Sequence, residues 1–363
     1  MIISRTPYRI SFLGGGTDYP AWYRRHGGAV LGATIDKYCY LTCRYLPPFF
    51  EHRFRVVYSK IESCQSVDDV QHPAVREALR FLNVCRGVEI HHDGDLPARS
   101  GVGSSSAFTV GLLHALHALQ GRMPSKQQLA REGIHVEQEL LRETVGSQDQ
   151  VLAAYGGVNQ VSFLTTGEIS VQPVTVPRER IHQLNQHLML FYTGIKRTAS
   201  DIAQTFVSDI DGRKRQLRIM RDLVDEGVGI LNSTKDIVLF GELLHESWQL
   251  KRTLSSQVSN DAVEAVYARA QAAGAVGGKL LGAGGGGFLL LFVPPEDQAH
   301  VRQTLAELIH VPFEFDFSGS QIIFFDPEKD YSRAEQDREG RAIESFREAA
   351  DRSDSPTAPK GTA

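Results

Sequence analysis

The sequence predicts an α+β fold in two domains, and three observations lead to this class. The chain has 363 residues, which is long enough for two hydrophobic cores. Segments rich in β-branched and aromatic residues dominate residues 1–60, whereas a helical pattern begins only at Ser104. Strands and helices then mix without the strict alternation of a doubly wound sheet. A polar stretch at 176–187 marks the boundary, which gives domains 1–182 and 183–326 and a charged tail, 327–363.

The first domain is expected to contain most of the strands. They are predicted at 8–13, 29–35, 38–46, 54–59 and 87–94. An apolar helix then begins at Ser104 and stops at Gly121, and a second helix follows with Ser125 as its N-cap. Two more strands, at 157–164 and 168–176, complete the domain.

The second domain is expected to open with a buried strand at 188–194. Three helical stretches follow between about 198 and 273, and a glycine-rich loop covers 277–287. A strongly apolar strand at 288–293, a helix near 296–309 and a strand at 321–325 close the fold. The charged tail has few aliphatic residues, so we expect a solvated helix at most, with a disordered end.

Composition excludes several classes of function. Hydrophobic residues make up 42% of the chain, charged residues 23%, and the formal net charge is −4. Lys and Arg are scattered, so we expect no nucleic-acid or membrane partner. No apolar run reaches a membrane span and no signal-peptide layout is present, so a cytoplasmic location is expected. The four cysteines lack metal-binding spacing and are expected to be buried free thiols: Cys39, Cys43, Cys64 and Cys85.

The first glycine-rich segment follows the first predicted strand. Three glycines, Gly14, Gly15 and Gly16, lead into Thr17 and Asp18. Gly and Asp are ordinary turn residues, so a plain turn is the simplest interpretation of this segment taken alone.

The second segment has the composition of a phosphate-binding loop. Gly101 and Gly103 lie just before the helix that begins at Ser104, where free backbone N–H groups and the helix dipole favour an anion. The serine hydroxyls can cap the helix, donate to phosphate or ligate Mg²⁺. We therefore predict a phosphate site in this segment, with simple N-capping by a serine as the alternative; its candidate residues are Pro97, Ser100, Gly101, Val102, Gly103, Ser104, Ser105 and Ser106.

The third segment matches the sequence pattern of a dinucleotide-binding loop but not the order of elements that the motif requires. Gly282, Gly284 and Gly287 fit Gly-x-Gly-x-x-Gly, but a strand follows where that motif requires a helix. Lys279 follows a glycine but precedes Leu280, so a Walker loop is disfavoured too.

Two carboxylates complete the candidate site. Asp149 lies in a Gly-containing segment after the second helix, and Glu137 lies 12 residues earlier on that helix. One carboxylate near an acceptor hydroxyl can orient it or take its proton, and another can ligate a metal ion. Taken singly, each is more simply interpreted as a surface carboxylate.

Together these segments resemble the GHMP kinases, which include galactokinase, homoserine kinase and mevalonate kinase. The resemblance covers about residues 3–325, and its most specific motif is Pro97 followed by Ser-Gly-Val-Gly-Ser-Ser-Ser-Ala. Arg9 and Asp18 keep the nine-residue spacing of the first motif in sugar kinases, and Asp149-Gln150 matches the galactokinase pattern. The resemblance implies an N-terminal domain like that of ribosomal protein S5, a ferredoxin-like C-terminal domain, and an active site between them.

The resemblance also implies roles for individual residues. Asp149 is the expected catalytic base or orienter of the acceptor hydroxyl, and Arg9 is the cation beside it. ATP and Mg²⁺ are the implied cofactors, with Glu137 and Ser105, alone or together with Ser104, as metal ligands. Asp18 would hold sugar hydroxyls, and the implied substrate loops are Gly14, Gly15, Gly16 and Thr17, and Gly284, Gly285 and Gly286.

One departure from galactokinases bears on the acceptor. Gly15 and Gly16 stand where galactokinases have Glu and His, which leaves room for a larger or anionic sugar. Three segments resemble the branch of D-glycero-D-manno-heptose 7-phosphate kinases, to which fucokinase domains are the near neighbours. These segments are residues 9–20, 192–202 and 245–260. A sugar phosphate phosphorylated on its anomeric 1-hydroxyl is therefore the expected substrate. Lys196 with Arg197, or Lys251 with Arg252, are candidates for its phosphate, with surface charge as the alternative interpretation.

Four other functions stay open at this point. They are a fucokinase- or galactokinase-like enzyme, a kinase of a phosphomevalonate-like acid, a non-catalytic sensor of ATP and sugar, and a dinucleotide-dependent oxidoreductase. The motif residues at all four key positions disfavour the sensor: Arg9, Ser105, Glu137 and Asp149.

Overall fold

A computed structural model gives the fold and describes residues 1–195, 207, 209–326, 331 and 333. Lys196 and Arg197, and nearly all of the predicted tail, lie outside these residues. No helix in the described part of the chain is long and apolar enough to cross a lipid bilayer.

The first sheet is centred on two long strands, β1 (Ile2–Leu13) and β2 (Gly28–Tyr45). The segments predicted as separate strands, 29–35 and 38–46, form the single strand β2, which pairs antiparallel with β1. Residues 8–13 are buried without alternation, so this sheet must be covered on both faces. Its other strands before residue 175 are β3 (Phe54–Val57), β4 (Ile61–Cys64), β5 (Val88–Gly94), β6 (Val158–Phe163) and β7 (Ile169–Pro173).

Six helices accompany these strands within residues 1–187. They are α1 (Pro20–His26), α2 (Pro73–Phe81), α3 (Ser104–Leu119), α4 (Lys126–His135), α5 (Gln148–Tyr155) and α6 (Arg178–Gln186). The apolar helix α3 packs against β1 and β2 and is surrounded by α2, α4 and α5, which explains why it is hydrophobic on nearly every side. Ser125 caps α4, as predicted.

The second unit has the ferredoxin-like arrangement that the family resemblance implies. Its described elements are β8 (Leu188–Tyr192), α7 (Lys214–Leu231), α8 (Val238–Arg252), α9 (Asp261–Ala272), β9 (Gly277–Leu280), β10 (Phe288–Phe292), α10 (Gln298–Thr304) and β11 (Ile309–His310). The antiparallel sheet has the order β11-β8-β10-β9. Along the chain, the described helices α7 to α9 follow the first strand, β8, and α10 follows the third strand, β10. The predicted α+β class and this second fold are confirmed.

Two late strands return to the first sheet. β12 (Phe315–Asp316) pairs with β2, and β13 (Gln321–Phe325) pairs with β1. The sheet order is β13-β1-β2-β5-β3-β4, with β6 and β12 also paired to β2, and β7 to β6. The sequence predicts only the second of these strands, at 321–325, and places it in the second domain, 183–326. That placement differs from the structure because an apolar strand pattern does not reveal which sheet the strand joins.

The free cysteines follow the sheet. Cys39 and Cys43 are buried on β2, as expected. Cys64 ends the edge strand β4 and is half-buried, and Cys85 lies in an exposed loop. The expectation of burial therefore fails for these two, because neither lies on a central strand.

Candidate active site

A cavity of about 310 Å³ lies where the two units meet. The glycine loop after β1, the loop before α3 and the segment leading into α5 form one side. Residues of α8, β9 and the loop after β9 form the other. The cavity brings together most of the residues that the sequence analysis selected, although they are spread over the chain from Arg9 to Gly282.

Arg9 and Asp149 form a bidentate ion pair in this cavity. Arg9 Nε donates to Asp149 Oδ1 and Nη2 donates to Oδ2, both at 2.7 Å. Arg9 is 4% exposed and Asp149 is 25% exposed, so the carboxylate is the open partner. Arg9 Nη1 also donates to the carbonyl oxygen of Gly101 at 2.5 Å. A single guanidinium therefore fixes the carboxylate and the predicted phosphate loop relative to each other.

The phosphate loop ends at an open helix N-terminus. Gly101 and Gly103 have φ values of 88° and 72°, the left-handed region that favours glycine. No side chain caps α3, and its first residues, Ser104, Ser105 and Ser106, line the cavity. Unpaired N–H groups at the start of a 16-residue helix form a site for an anion such as phosphate.

The other predicted residues of this loop shape it without lining the cavity. Ser100 Oγ donates to the carbonyl of Pro97 at 2.6 Å, and both stay outside the cavity wall. Val102 is fully buried, and its carbonyl oxygen accepts a hydrogen bond from the backbone N–H of Arg9 at 3.1 Å. A Cβ on Gly101 would lie 2.6 Å from the carbonyl oxygen of Leu281, so the loop packs tightly on the second unit.

Glu137 is a buried carboxylate beside the start of α3. It lies in a π-helical turn, 136–140, that ends the predicted second helix, and such turns are frequent at functional sites. Its Oε2 accepts hydrogen bonds from Ser106 Oγ at 2.8 Å and from Gln150 Nε2. Burial raises the pKa of Glu137 to about 7, although both hydrogen bonds act to lower it. The exposed Ser105, the predicted metal ligand, lines the cavity but does not make this contact.

The surroundings of Glu137 fit a magnesium ion that also binds phosphate oxygens. Its Oε1 atom is buried and has no partner in hydrogen-bonding geometry. A cation would favour the charged form of this carboxylate, which burial disfavours. The described residues contain no cluster of three or more His, Cys, Asp or Glu able to hold a metal. Mg²⁺ characteristically binds one or two carboxylates together with substrate phosphates and water.

Asp18 anchors the glycine loop in the wall of the cavity. The carboxylate is 1% exposed, accepts the Gly16 N–H at 3.0 Å, and accepts Gln148 Nε2 at 3.0 Å. Burial, with the nearby charge of Asp149, raises the pKa of Asp18. Gln148 was not selected from the sequence, because the Asp-Gln motif consists of the two residues that follow it, Asp149 and Gln150.

Two predicted substrate residues of this loop have structural roles. Thr17 is fully buried, and its hydroxyl oxygen lies 2.8 Å from the carbonyl oxygens of both Gly14 and Ala29, which share its single donor hydrogen. A Cβ on Gly14 would lie 2.0 Å from the Ala29 carbonyl oxygen. Gly14 and Thr17 therefore hold the loop against β2, and only Gly15 and Gly16 line the cavity.

The predicted contact from Gly284, Gly285 and Gly286 is shifted along the chain. These residues pack on the second unit, where Gly285 N–H donates to Val258 O at 2.8 Å. Gly282 and Ala283 line the cavity instead. A glycine run marks close backbone packing, and the sequence alone does not show which of its residues face a cavity.

Two lysines of the second unit also line the cavity. Lys251 was a candidate from the sequence, whereas its neighbour Arg252 lies outside the cavity and pairs with Glu264 at 3.0 Å. Lys279 was missed because residues 277–287 were interpreted as one loop. Its signal is a lysine between Gly278 and two leucines, which is an unusual place for a charge.

Comparisons with known proteins agree with this geometry. Residues 70–157 match the family model of the GHMP kinases N terminal domain, and residues 226–310 match the GHMP kinases C terminal model. The first range contains the phosphate loop, Glu137 and Asp149, and the second contains both lysines.

Three similar proteins span most of the chain. The D-glycero-alpha-D-manno-heptose 7-phosphate kinase of Campylobacter jejuni is 27% identical over 332 residues, which cover 88% of this chain and 98% of that protein. The bifunctional fucokinase/GDP-fucose pyrophosphorylase of Arabidopsis thaliana is 26% identical over 85% of this chain, and the match spans 31% of that longer protein. The crystal structure of a D-glycero-D-manno-heptose 1-phosphate kinase from Bacteroides thetaiotaomicron has the same fold. Its TM-score is 0.72 at 22% identity, covering 89% of this chain and 99% of that one.

Proposed function

Because this chain belongs to the GHMP kinase family, we propose that it transfers the γ-phosphoryl group of ATP to the anomeric 1-hydroxyl of a sugar phosphate. The family and its sugar-kinase relatives make the chain an ATP-dependent sugar kinase. The proposed acceptor is D-glycero-D-manno-heptose 7-phosphate, which would become the 1,7-bisphosphate. Support comes from the Campylobacter relative, which is named for that acceptor.

One observation carries the reaction type. The carboxylate of Asp149, held by both nitrogens of the Arg9 fork, faces the same cavity as the open N-terminus of α3. A kinase needs these two features side by side, since one addresses the acceptor hydroxyl and the other the nucleotide phosphates. Catalysis of phosphoryl transfer rests mainly on positioning and electrostatics, and the Arg9 contacts to Asp149 and Gly101 supply a fixed distance between the two features.

Asp149 is proposed to orient the 1-hydroxyl and to accept its proton as the oxygen attacks the γ-phosphorus in line. Arg9 keeps the carboxylate in place and offers positive charge to the group in transfer. Asp18 and Gln148 are proposed to receive sugar hydroxyls in the cavity, and Gly15 and Gly16 leave room for the ring.

Mg²⁺ is proposed as the second cofactor, held by Glu137 with the hydroxyl of Ser106 or of the predicted Ser105. When bound, it would neutralise charge on the ATP phosphates. The unpartnered Oε1 atom and the raised pKa of Glu137 support this position.

A fucokinase-like sugar 1-kinase is the alternative. The match to the Arabidopsis fucokinase, at 26% identity over 85% of the chain, favours it specifically. It differs in the acceptor, which would then be a neutral sugar without a phosphate.

A coupled assay of ADP release over a panel of acceptors tests the proposal. The panel contains heptose 7-phosphate, unphosphorylated heptose, fucose, galactose and phosphomevalonate. We expect kcat/KM for heptose 7-phosphate to exceed that of every other member at least about tenfold, with ³¹P NMR placing the new phosphate on the anomeric carbon. A preference for fucose would support the alternative. ATP binding without turnover of any acceptor would leave the sensor interpretation.

A further inference from the structure

Two buried lysines face the active-site cavity without a carboxylate partner. Lys251 on α8 is 8% exposed, and Lys279 on β9 is 2% exposed. Lys251 Nζ donates to the carbonyls of Leu280 at 3.0 Å and Gly282 at 2.5 Å, and Lys279 Nζ donates to the carbonyl of Phe12 at 2.8 Å. Among the described residues, neither lysine forms an ion pair.

The hydrogen bonds leave both ammonium groups with unused donors. Each group has three N–H bonds, of which Lys251 uses two and Lys279 uses one. The nearby carboxylate of Asp149 is already taken by the Arg9 fork. Burial lowers the pKa of Lys251 to about 7, and the charge of Arg9 also lowers it. The charges of Asp18 and Asp149, which form no ion pair with this lysine, offset only part of the effect. The pKa of Lys279 also falls well below its ordinary value, through burial and the charge of Lys251.

A buried cation without a counter-ion is unfavourable, and a bound anion removes the conflict. The ATP phosphates have partners of their own in the cavity, namely the open start of α3 and the Glu137 site. Lys279 is instead fixed by Phe12, two residues before the glycine loop proposed to hold the acceptor. Lys251 is fixed by the carbonyls on either side of Leu281.

On the premise of the proposed kinase function, we propose that Lys251 and Lys279 bind the phosphate group that the acceptor sugar already carries. The three unused N–H donors would meet the oxygens of a phosphate with charge near −2, as charge-assisted hydrogen bonds. The carbonyls of Phe12, Leu280 and Gly282 aim the lysines in advance. A neutral sugar would leave both cations uncompensated, so the site selects phosphorylated acceptors.

The test uses Lys251→Met and Lys279→Met, which remove the charged group and keep an unbranched side chain one atom shorter than lysine. Lys126→Met is the matched control, because Lys126 Nζ also donates to two carbonyls, of Tyr155 and Ser318, but lies outside the cavity. For each protein, KM and kcat are measured with heptose 7-phosphate, and calorimetry gives the affinity for heptose 7-phosphate and for unphosphorylated heptose without ATP.

We expect each cavity variant to bind heptose 7-phosphate roughly 10- to 100-fold more weakly. In these variants, the affinity for heptose and the KM for ATP should change less than about twofold. In the Lys126→Met control, KM, kcat and both sugar affinities should change less than about twofold. The wild-type preference for the phosphorylated sugar would then shrink in both cavity variants.

Two outcomes would overturn the assignment. Unchanged affinity for heptose 7-phosphate would remove the lysines from the acceptor site. A fall in kcat and ATP affinity with the acceptor preference intact would place them at the transferred phosphoryl group instead.

The melting temperature without ligand separates binding from folding. Removing a buried charge that has no ion-pair partner offsets the loss of the lysine's hydrogen bonds to carbonyls, so we expect this temperature to change by no more than a few degrees in either variant. Should one variant fail to fold, the other decides, and Lys279→Gln and Lys251→Gln provide a polar replacement.

Failure of the proposed substrate would leave this inference testable. If another sugar phosphate proves to be the acceptor, the same affinity comparison is made with that compound. If the wild-type enzyme phosphorylates only neutral sugars, the lysine assignment falls while the kinase function stands.

Discussion

At the scale of single residues, the site is organised by a few buried charges whose partners come from distant parts of the chain. Arg9 belongs to a strand and Asp149 to the first turn of a helix, and their fork is tied to Gly101 by the same guanidinium. Removing one member of such a unit disturbs the others, so the informative substitutions are those that keep size and change one property.

Asp149→Asn keeps the size of the proposed catalytic carboxylate and removes its negative charge and its basicity. The amide oxygen can still accept one hydrogen bond from the Arg9 fork, while the second of the two bonds is lost. We expect kcat to fall by about 10²-fold or more, as for a lost general base, while ATP affinity stays within a few fold. Turnover near that of the wild type would show that Asp149 is not the base. Nucleotide affinity is measured by calorimetry on the same preparation.

Glu137→Gln tests the cost of the buried carboxylate. Its pKa of about 7 lies above the ordinary 4.5, so its stabilising contribution is complete below pH 4.5 and is lost as pH rises through 7. Without nucleotide and metal, ionisation by pH 8 should cost the wild type up to ~3 kcal/mol, and the variant escapes this cost. Denaturant unfolding at pH 5 and pH 8 measures the difference. A gap between the two proteins that does not change with pH would contradict the raised pKa.

Gly15→Glu tests the acceptor loop with little risk to the fold. A Cβ on Gly15 would meet Ser11 Oγ at 3.5 Å and Gln148 Nε2 at 3.7 Å, which are ordinary contacts. Gly14 has no such room. The added carboxylate would repel an anionic acceptor, so we expect the KM for a sugar phosphate to rise tenfold or more, with the KM for ATP little changed. Gly15→Ala, which adds only a methyl group, should stay near wild type. A Gly15→Glu enzyme with normal acceptor kinetics would remove this loop from the acceptor site.

At the scale of elements, the sequence predicted local structure better than pairing. The apolar helix α3 and the central strand β10 were predicted from continuous hydrophobic runs. Such runs are typical of elements buried on every side, as both are in the structure. The helix α6 was interpreted as a polar linker because its sequence is mostly polar and charged, and the π turn at Glu137 has no sequence signature of its own. Lys279 was missed for a similar reason, since its strand contains two glycines.

The return of β13 to the first sheet predicts where the chain tolerates truncation. β13 covers the edge of β1 with four aligned residue pairs, from Ile2 with Phe325 to Arg5 with Gln321. A chain ending at residue 320 loses these contacts, and we expect a loss of roughly 2–4 kcal/mol in the free energy of unfolding, with aggregation through the open edge.

A chain ending at residue 326 is the control for that truncation, because it removes the tail and keeps β13. Its unfolding free energy, measured in urea, should match the full chain. Equal stability of both truncated chains would mean that β13 contributes nothing to the sheet.

At the scale of the whole molecule, the two units share their interior. One continuous hydrophobic core includes Phe12 of the first sheet together with Phe240 of α8 and Phe288 of β10. Backbone contacts cross the same boundary beside the cavity, where Phe288 N–H donates to Ser100 O at 3.0 Å. Because the phosphate loop rests on the second unit, a nucleotide bound in the loop must stabilise both units together.

The two tryptophans make this coupling measurable, because the chain has only Trp22 in α1 and Trp248 in α8, and both are fully buried. Trp22→Phe and Trp248→Phe leave one fluorescent reporter in each unit. We expect both variants to unfold in one urea transition, with fluorescence and circular dichroism coinciding within each protein. A non-hydrolysable ATP analogue should shift both reporters by the same increment in unfolding free energy. If the nucleotide moved only the Trp22 reporter, the units would unfold independently and the cavity would not couple them.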